Sequence, residues 1–516
     1  MTSAPDTPRQ PNGPPPTRVV IAGGGTAGWI AAAALVRQLG PLVTVTLVES
    51  DDIGTVGVGE STIPTARSFH AFLGIDEAAF MRATQASFKL GIQFENWRQV
   101  GDHYFHPFGS VGRSVAIADF QHFWLEARMH GIDGAYGDYS LEQRAALAGR
   151  FGHDDANPLA YAYHLDATAY ARFLRGLAEP WGVRRVEGQI ERVEHAGERD
   201  GNGRGDDIAA LHLASGERIS GDLFIDCTGF RALLTEGALR TGYDDWSQWL
   251  MTDRALAVQT ETVAPPVPYT RAIAHEAGWR WQIPLQTRVG NGIVYASRYM
   301  SDDAAHATLL VGLDGSALFE PRPLRFTAGM RRKAWNRNCV ALGLAAGFIE
   351  PLESTSIHLI MNAVMRLIQL FPFRSGDYEA LATRFNAQSR HEWEHVRDFI
   401  ILHYHLTERD DAELWRTCRD LPLPESLRER IALFAQTAGA WQGQDDLFRI
   451  DSWVAVMLGQ GLNPKYHHRI ASMISESDLR GSFVSLTQGL SATVSRLPRH
   501  ADYLTRFRQT PGPKPR

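Results

Sequence analysis

Cysteine is scarce in this chain: Cys227, Cys339 and Cys418 are the only three among 516 residues. Their number and wide spacing exclude a disulfide framework and a cysteine-held zinc site, and they suit a reducing compartment. Long apolar runs are missing too. None reaches the roughly eighteen residues needed to cross a bilayer, and residues 1–18 are rich in proline and polar side chains, without the apolar stretch of a secretory leader. A cytoplasmic protein with no membrane partner is expected. Positive charge is not in excess, since 52 basic against 58 acidic side chains leave a net charge of −6. That balance argues against nucleic acid as a partner. No metal site is expected.

What remains is globular protein, 44% hydrophobic and 21% charged, long enough for two or three domain-sized cores. Residues 1–17, with Pro14-Pro15-Pro16, and residues 509–516 cannot bury enough apolar surface to repay ordering, so both are expected to be disordered tails. Between them the first strong signal is a β-branched run, 18–22, followed by Gly23-Gly24-Gly25-Thr26-Ala27-Gly28 and a helical stretch, 29–39. GxGxxG spacing falls on Gly23, Gly25 and Gly28. Missing side chains there permit a tight turn, close approach of a pyrophosphate and close helix–strand packing, with the helix N-terminus facing the phosphates. A second strand, 43–48, ends at Glu49, placed to accept hydrogen bonds from a ribose diol. This much admits NAD as well as FAD. A later strand, 223–227, runs into Asp226-Cys227-Thr228-Gly229, a placement that resembles FAD proteins.

Further segments resemble one family, the flavin-dependent halogenases of the tryptophan-halogenase type, from about residue 18 to 503. GGGTAGW at Gly23 and GVGEST at Gly57 match its flavin-binding elements, SFK at Ser87 its catalytic lysine segment, WRWQIP at Trp279 its WxWxIP signature, and EPLESTSI at Glu350 its EPLEST stretch. The resemblance implies that reduced FAD (FADH2), O2 and a halide, bromide or chloride, yield hypohalous acid that halogenates an electron-rich, indole-type ring. It assigns Gly23, Gly25, Thr26, Ala27, Gly28, Glu49, Gly57, Gly59, Asp226, Gly229 and Leu352 to the cofactor. Lys89 would take up the hypohalous acid, by hydrogen bond or as a haloamine. Desolvation in the apolar stretch 86–92 would lower its pKa into a reactive range. Glu353 would polarise the halogen donor or accept the ring proton. The amides of Thr355 and Ser356, opening an apolar helix over 356–371, would hold the halide. Trp279, Trp281, Ile283 and Pro284 would form a wall between flavin and substrate, the two tryptophans lying on one strand face. Each assignment has a plainer counterpart: a tryptophan-rich core strand, a snorkelling lysine, or capping of the 356–371 helix by Ser354 or Thr355.

The chain departs from the family's free-tryptophan branch in two places. Ser356 stands where glycine usually follows EPLEST, which narrows the backbone and adds a hydroxyl near the halide, so bromide is expected to be used more readily. His106 and Phe108 match the ring-stacking pair, but between Trp441 and Gly459 the tryptophan-gripping segment is absent. Phe448 and Trp453 are the aromatics left there to meet substrate.

The expected fold is α/β. A discontinuous, Rossmann-like FAD-binding body with substrate-side β inserts, 18–375, is followed by a helical C-terminal subdomain, 376–508, with helices at 379–405 and 425–435. No reductase segment is present, so FADH2 would come from a separate flavin reductase without a stable complex. A homodimer is compatible with the sequence. The competing readings are a flavin-dependent aromatic monooxygenase, a flavin-binding protein without turnover, and an NAD-dependent dehydrogenase, which lacks a second nucleotide motif here.

Overall fold

The computed structural model describes residues 15–53, 60–114, 117–197, 207–373 and 378–507. Its organising layer is a six-stranded sheet in the order Trp335–Asn336, Cys339–Ala341, Leu223–Asp226, Thr17–Ala22, Val43–Glu49, Arg184–Glu187. All neighbours pair in parallel except the short edge strand Trp335–Asn336. The central strand is covered on both faces, which is why its sequence is continuously apolar rather than alternating. Val19 and Ile21 pack under the helix Thr26–Leu39, whereas Val20 and Ala22 face a second core beneath the three-stranded sheet Ile190–His195, Ile208–Leu213 and Arg218–Ser220.

That helix begins at Thr26, earlier than the sequence suggests, because Gly25 already serves as its N-cap. The apolar helix after EPLEST runs Ser356–Gln369, with Leu370 as its C-cap; Phe371-Pro372 lies beyond it, where proline disfavours further helix.

A seven-stranded sheet stands beside this body in the order Arg322–Arg325, Arg254–Glu261, Arg288–Tyr295, Gly278–Pro284, Thr270–His275, Gly91–Glu95, His103–Pro107. The tryptophan strand sits in the middle and the strand bearing His106 at one edge. A small sheet of Glu60–Ser61, Ala162–Leu165 and Ser87–Lys89 carries the lysine.

From Glu379 to Phe507 every regular element is helical, led by the 27-residue helix Glu379–His405 and including Glu425–Thr437 and Ile450–Gly459. The boundary expected at 375/376 lies within 374–377, outside the described residues, as do residues 1–14 and 508–516. The helical part returns to the body at its end. The Phe88 amide donates to His500 Nε2 at 3.2 Å, His500 Nδ1 donates to the Pro266 carbonyl at 2.8 Å, and Tyr503 and Phe507 pack their rings against Phe88.

His500 is fully buried, so removing it strands the Phe88 N–H without water. His500→Ala should lower unfolding stability by about 1–3 kcal/mol, measured as a fall in denaturant midpoint, whereas alanine at the exposed neighbour Arg499 should change it little.

Candidate active site

The glycine turn opens into a cavity of about 840 Å³, within the range of small-ligand sites. Gly23 has φ +103°, and a methyl there would overlap the Cys227 carbonyl; a methyl on Gly28 would overlap the Gly23 carbonyl oxygen. Both glycines are therefore fixed by close packing of strand, turn and helix. Gly25, Thr26 and Ala27 line the cavity, as do Glu49, Gly229 and Ser356. Glu49 is already engaged: Arg185 Nε donates to Oε1 at 2.5 Å and Trp29 Nε1 to Oε2 at 3.3 Å, an arrangement that fixes the carboxylate beside the glycine turn.

Two of the cofactor assignments look different in the structure. The Asp226 carboxylate accepts from the Thr228, Leu234 and Thr235 amides and from both threonine hydroxyls, so it is spent on shaping the turn whose next residues, Cys227 to Gly229, line the cavity. Leu352 points its buried side chain into the core, while Pro351 and Ser354 face the cavity in its place. Gly57 and Gly59 lie outside the described residues.

The far wall of the cavity is formed by Trp279, Trp281 and Ile283 on one face of their strand, with the two indoles 5.9 Å apart. Pro284 does not face it. Its carbonyl instead accepts the Ser87 hydroxyl at 2.5 Å, joining the wall to the lysine strand. Trp279 Nε1 donates to Glu350 Oε1 at 3.2 Å, and the Thr252 hydroxyl donates to the other oxygen. Burial pushes the Glu350 carboxyl up to about 7 against those hydrogen bonds. Two buried polar atoms at the cavity, Trp281 Nε1 and Ser61 Oγ, have no hydrogen-bond partner among the described residues. Together with the glycine turn, they make the residues present a fit for a polar, phosphate-bearing cofactor such as FAD.

Lys89, at the end of the strand Ser87–Lys89, is fully buried. Its Nζ donates to Ser354 Oγ at 2.8 Å and to the Thr62 carbonyl at 3.3 Å, and it lies 4.9 Å from the centre of the Phe108 ring. Burial brings the amine down to about 7, although Glu353 pulls the other way. Ser354 reaches the amine from a left-handed backbone conformation, φ +59°, which is uncommon for a residue with a side chain. Capping is thus not its role: Thr355 is the N-cap, with no side-chain cap bond. The first amides of Ser356–Gln369 have no acceptor within the helix, as at any helix N-terminus.

Glu353 is buried next to Ser354. Burial alone would raise its pKa, but His106 and His403 hold the carboxyl down to about 2. His106 Nδ1 donates to its oxygens at 2.9 and 3.0 Å, and His403 Nε2 stands 2.9 Å from Oε1 with poor hydrogen-bond alignment. Sequence reasoning gave His106 a stacking role and missed both this pairing and His403, which sits at the end of a long helix inside no motif. Phe448 stacks on Phe399 at 3.8 Å, with its ring 6.3 Å from His106. Trp453 is set edge-on against Phe399 at 4.9 Å and under Arg430, enclosed in the helical core. Lys89, Phe108, Ser354, Glu353 and His106 are therefore one constellation, Phe448 borders it, and Trp453 lies a layer behind.

The tryptophan halogenase family profile matches residues 18–476. The chain belongs to the tryptophan halogenase family. This flavin-dependent halogenase is 37% identical to the tryptophan 7-halogenase RebH of Lentzea aerocolonigenes over 444 residues, covering 81% of each chain. Among solved structures it is similar to a flavin-dependent halogenase from Xanthomonas campestris, with 53% identity, a TM-score of 0.93 and 96% and 99% of the two chains covered. It is also similar to BrvH, a flavin-dependent halogenase from Brevundimonas sp. BAL3, with 41% identity, a TM-score of 0.91 and coverage of 96% and 100%. No helix among the described residues is long and apolar enough to cross a membrane, and no cluster of His, Cys, Asp and Glu there is arranged to hold a metal.

A desolvated lysine is a cost to folding that an apolar side chain does not carry. Lys89→Met should raise unfolding stability by about 1–4 kcal/mol, read from chemical denaturation, while the variant keeps its affinity for FAD in equilibrium titration.

Proposed function

We propose that this halogenase transfers bromide or chloride, as electrophilic halogen, to an indole-type aromatic substrate through Lys89, with bromide used more readily. The observation that carries this reading is the fully buried amine between Ser354, Thr62 and Phe108, brought to about 7 by desolvation. When bound, FADH2 supplies, with O2 and the halide, hypohalous acid on the far side of the wall. Trp279, Trp281 and Ile283 keep substrate from the flavin. The amides at Thr355 and Ser356 hold the halide, and the Ser356 hydroxyl reshapes that position. Lys89 receives the hypohalous acid as a hydrogen-bond donor or, once deprotonated, as a nucleophile that forms an N–halogen bond and releases water. Glu353, kept ionised by its histidines, faces the positive charge that grows on the ring and takes the proton the ring gives up.

FADH2 comes from a separate flavin reductase by diffusion, without a stable complex. RebH is named for tryptophan as its substrate. Here the segment 441–459 offers Phe448 beside His106 but withdraws Trp453 into the core, which favours indole, a substituted indole or a peptide-bound aromatic over free tryptophan.

The test is incubation with FAD, a flavin reductase, NADH, O2 and indole in bromide or chloride, with products read by mass spectrometry. A halogen isotope pattern supports the reading; a gain of one oxygen would point to a monooxygenase. Lys89→Ala should lose halogenation by at least about a thousandfold while flavin reoxidation continues. Because neutral amine is present only above its pKa, halogenated product per flavin oxidised should rise as pH increases through about 7 and then level. A flat profile from pH 5 to 9 would remove the nucleophilic form of the mechanism.

A further inference from the structure

We infer that Tyr104, on the outer edge strand His103–Pro107, is a positioning residue for the Glu353 carboxylate, acting through the tautomer of His403. The inference rests on the role of Glu353 proposed above.

The polar contacts run in series, the second of them close but off hydrogen-bond alignment. The Tyr104 hydroxyl lies 2.7 Å from His403 Nδ1, and His403 Nε2 lies 2.9 Å from Glu353 Oε1. Around them the rings leave no room for a flip: Phe94 stacks on Tyr104 at 4.8 Å and on His403 at 4.5 Å, while Phe399 and Trp97 meet the imidazole edge-on at 5.4 and 5.9 Å. The Gln460 amide holds the backbone, donating to the His403 carbonyl at 2.6 Å. Within this box only the proton positions remain to be chosen.

A neutral imidazole carries one N–H. Placed on Nδ1, it would donate to the phenol and leave the Nε2 lone pair facing an ionised carboxylate oxygen at hydrogen-bond distance, which is repulsive. Placed on Nε2, it points at Glu353, and Nδ1 must then accept a proton from its other neighbour. The Tyr104 phenol is that donor. Burial holds the phenol well above its ordinary range and holds the imidazole below its own, so both are neutral and the arrangement is the one with every proton directed toward the carboxylate. The groups that face Glu353 are then His106, His403 and, through the neighbouring Ser354, Lys89. His106 alone reaches both carboxylate oxygens. Holding the second side of the carboxylate falls to His403, and hence to Tyr104.

Tyr104→Phe deletes one oxygen and keeps the ring stacked on Phe94, so the fold should be retained, as a melting temperature within a few degrees would show. With indole and bromide, kcat for halogenation should fall about tenfold, the scale of one hydrogen bond in a charged network, while KM for indole and the rate of flavin reoxidation stay unchanged. In histidine-labelled protein, the ring nitrogens of His403, assigned by their loss in His403→Gln, should report Nε2–H in the parent and a mixture of tautomers in Tyr104→Phe. Both readouts must move: a kcat within twofold of the parent overturns the inference, as does a slow variant whose His403 tautomer is unchanged. Glu353→Gln separates the two levels of argument. If that variant halogenates at the parental rate, the role of Glu353 falls and the inference with it; if it is inactive while Tyr104→Phe is unimpaired, only the role of Tyr104 falls.

Discussion

An amine taken fully out of water must replace its hydration with protein contacts or give up its proton, and Lys89 does some of each. Its donors are met by a hydroxyl, a carbonyl and the face of a ring, with the one nearby carboxylate acting from beyond direct contact. These partners come from three places in the chain and meet on the lysine's own strand: Thr62 after one strand, Phe108 after the edge strand of the large sheet, and Ser354 in the EPLEST turn. The architecture around them exists to hold that meeting point. Ser87 is tied to the tryptophan strand through Pro284, and Phe88 is clamped by Phe151, stacked at 3.9 Å, and by the C-terminal segment. Lys89 is the next residue, so its reach is set by two neighbours that cannot shift.

The EPLEST turn divides its two glutamates between opposite environments. Glu350 faces the indole of Trp279 and a threonine hydroxyl and is raised by burial, whereas Glu353, three residues on, faces two imidazoles and is lowered. Carboxyls pushed apart in this way hold different protonation states at one pH and suit different tasks. The first braces the tryptophan strand. The second keeps a negative charge close to the Lys89 amine, which burial brings down to about 7.

Sequence legibility followed the range of the interactions. The glycine turn, the parallel strands and the helix Glu379–His405 could be read because local spacing and apolar pattern dictate them, and Lys89, Glu353 and the tryptophans because they sit in contiguous motifs. Asp226 and Leu352 were assigned to the cofactor by resemblance, whereas the Asp226 carboxylate accepts from five donors in its own turn and the Leu352 side chain turns to the core. Arg185, His403 and Tyr104 were missed for the opposite reason. Each reaches its partner across 136 to 299 positions, and no pattern in one chain encodes such a distance. The left-handed turn at Ser354, which sends a hydroxyl to the amine instead of capping the helix, likewise depends on tertiary packing.

The hydrogen bond from Phe88 to His500 joins positions 412 residues apart. Contacts of that span close late, because the loop entropy must be met before the contact returns anything. The segment His500 to Phe507 is held at several points, by the Pro266 carbonyl, the Gly149 carbonyl and His153, and its rings close over Phe88. A folding chain therefore cannot finish enclosing the residue beside Lys89 until these last turns have docked.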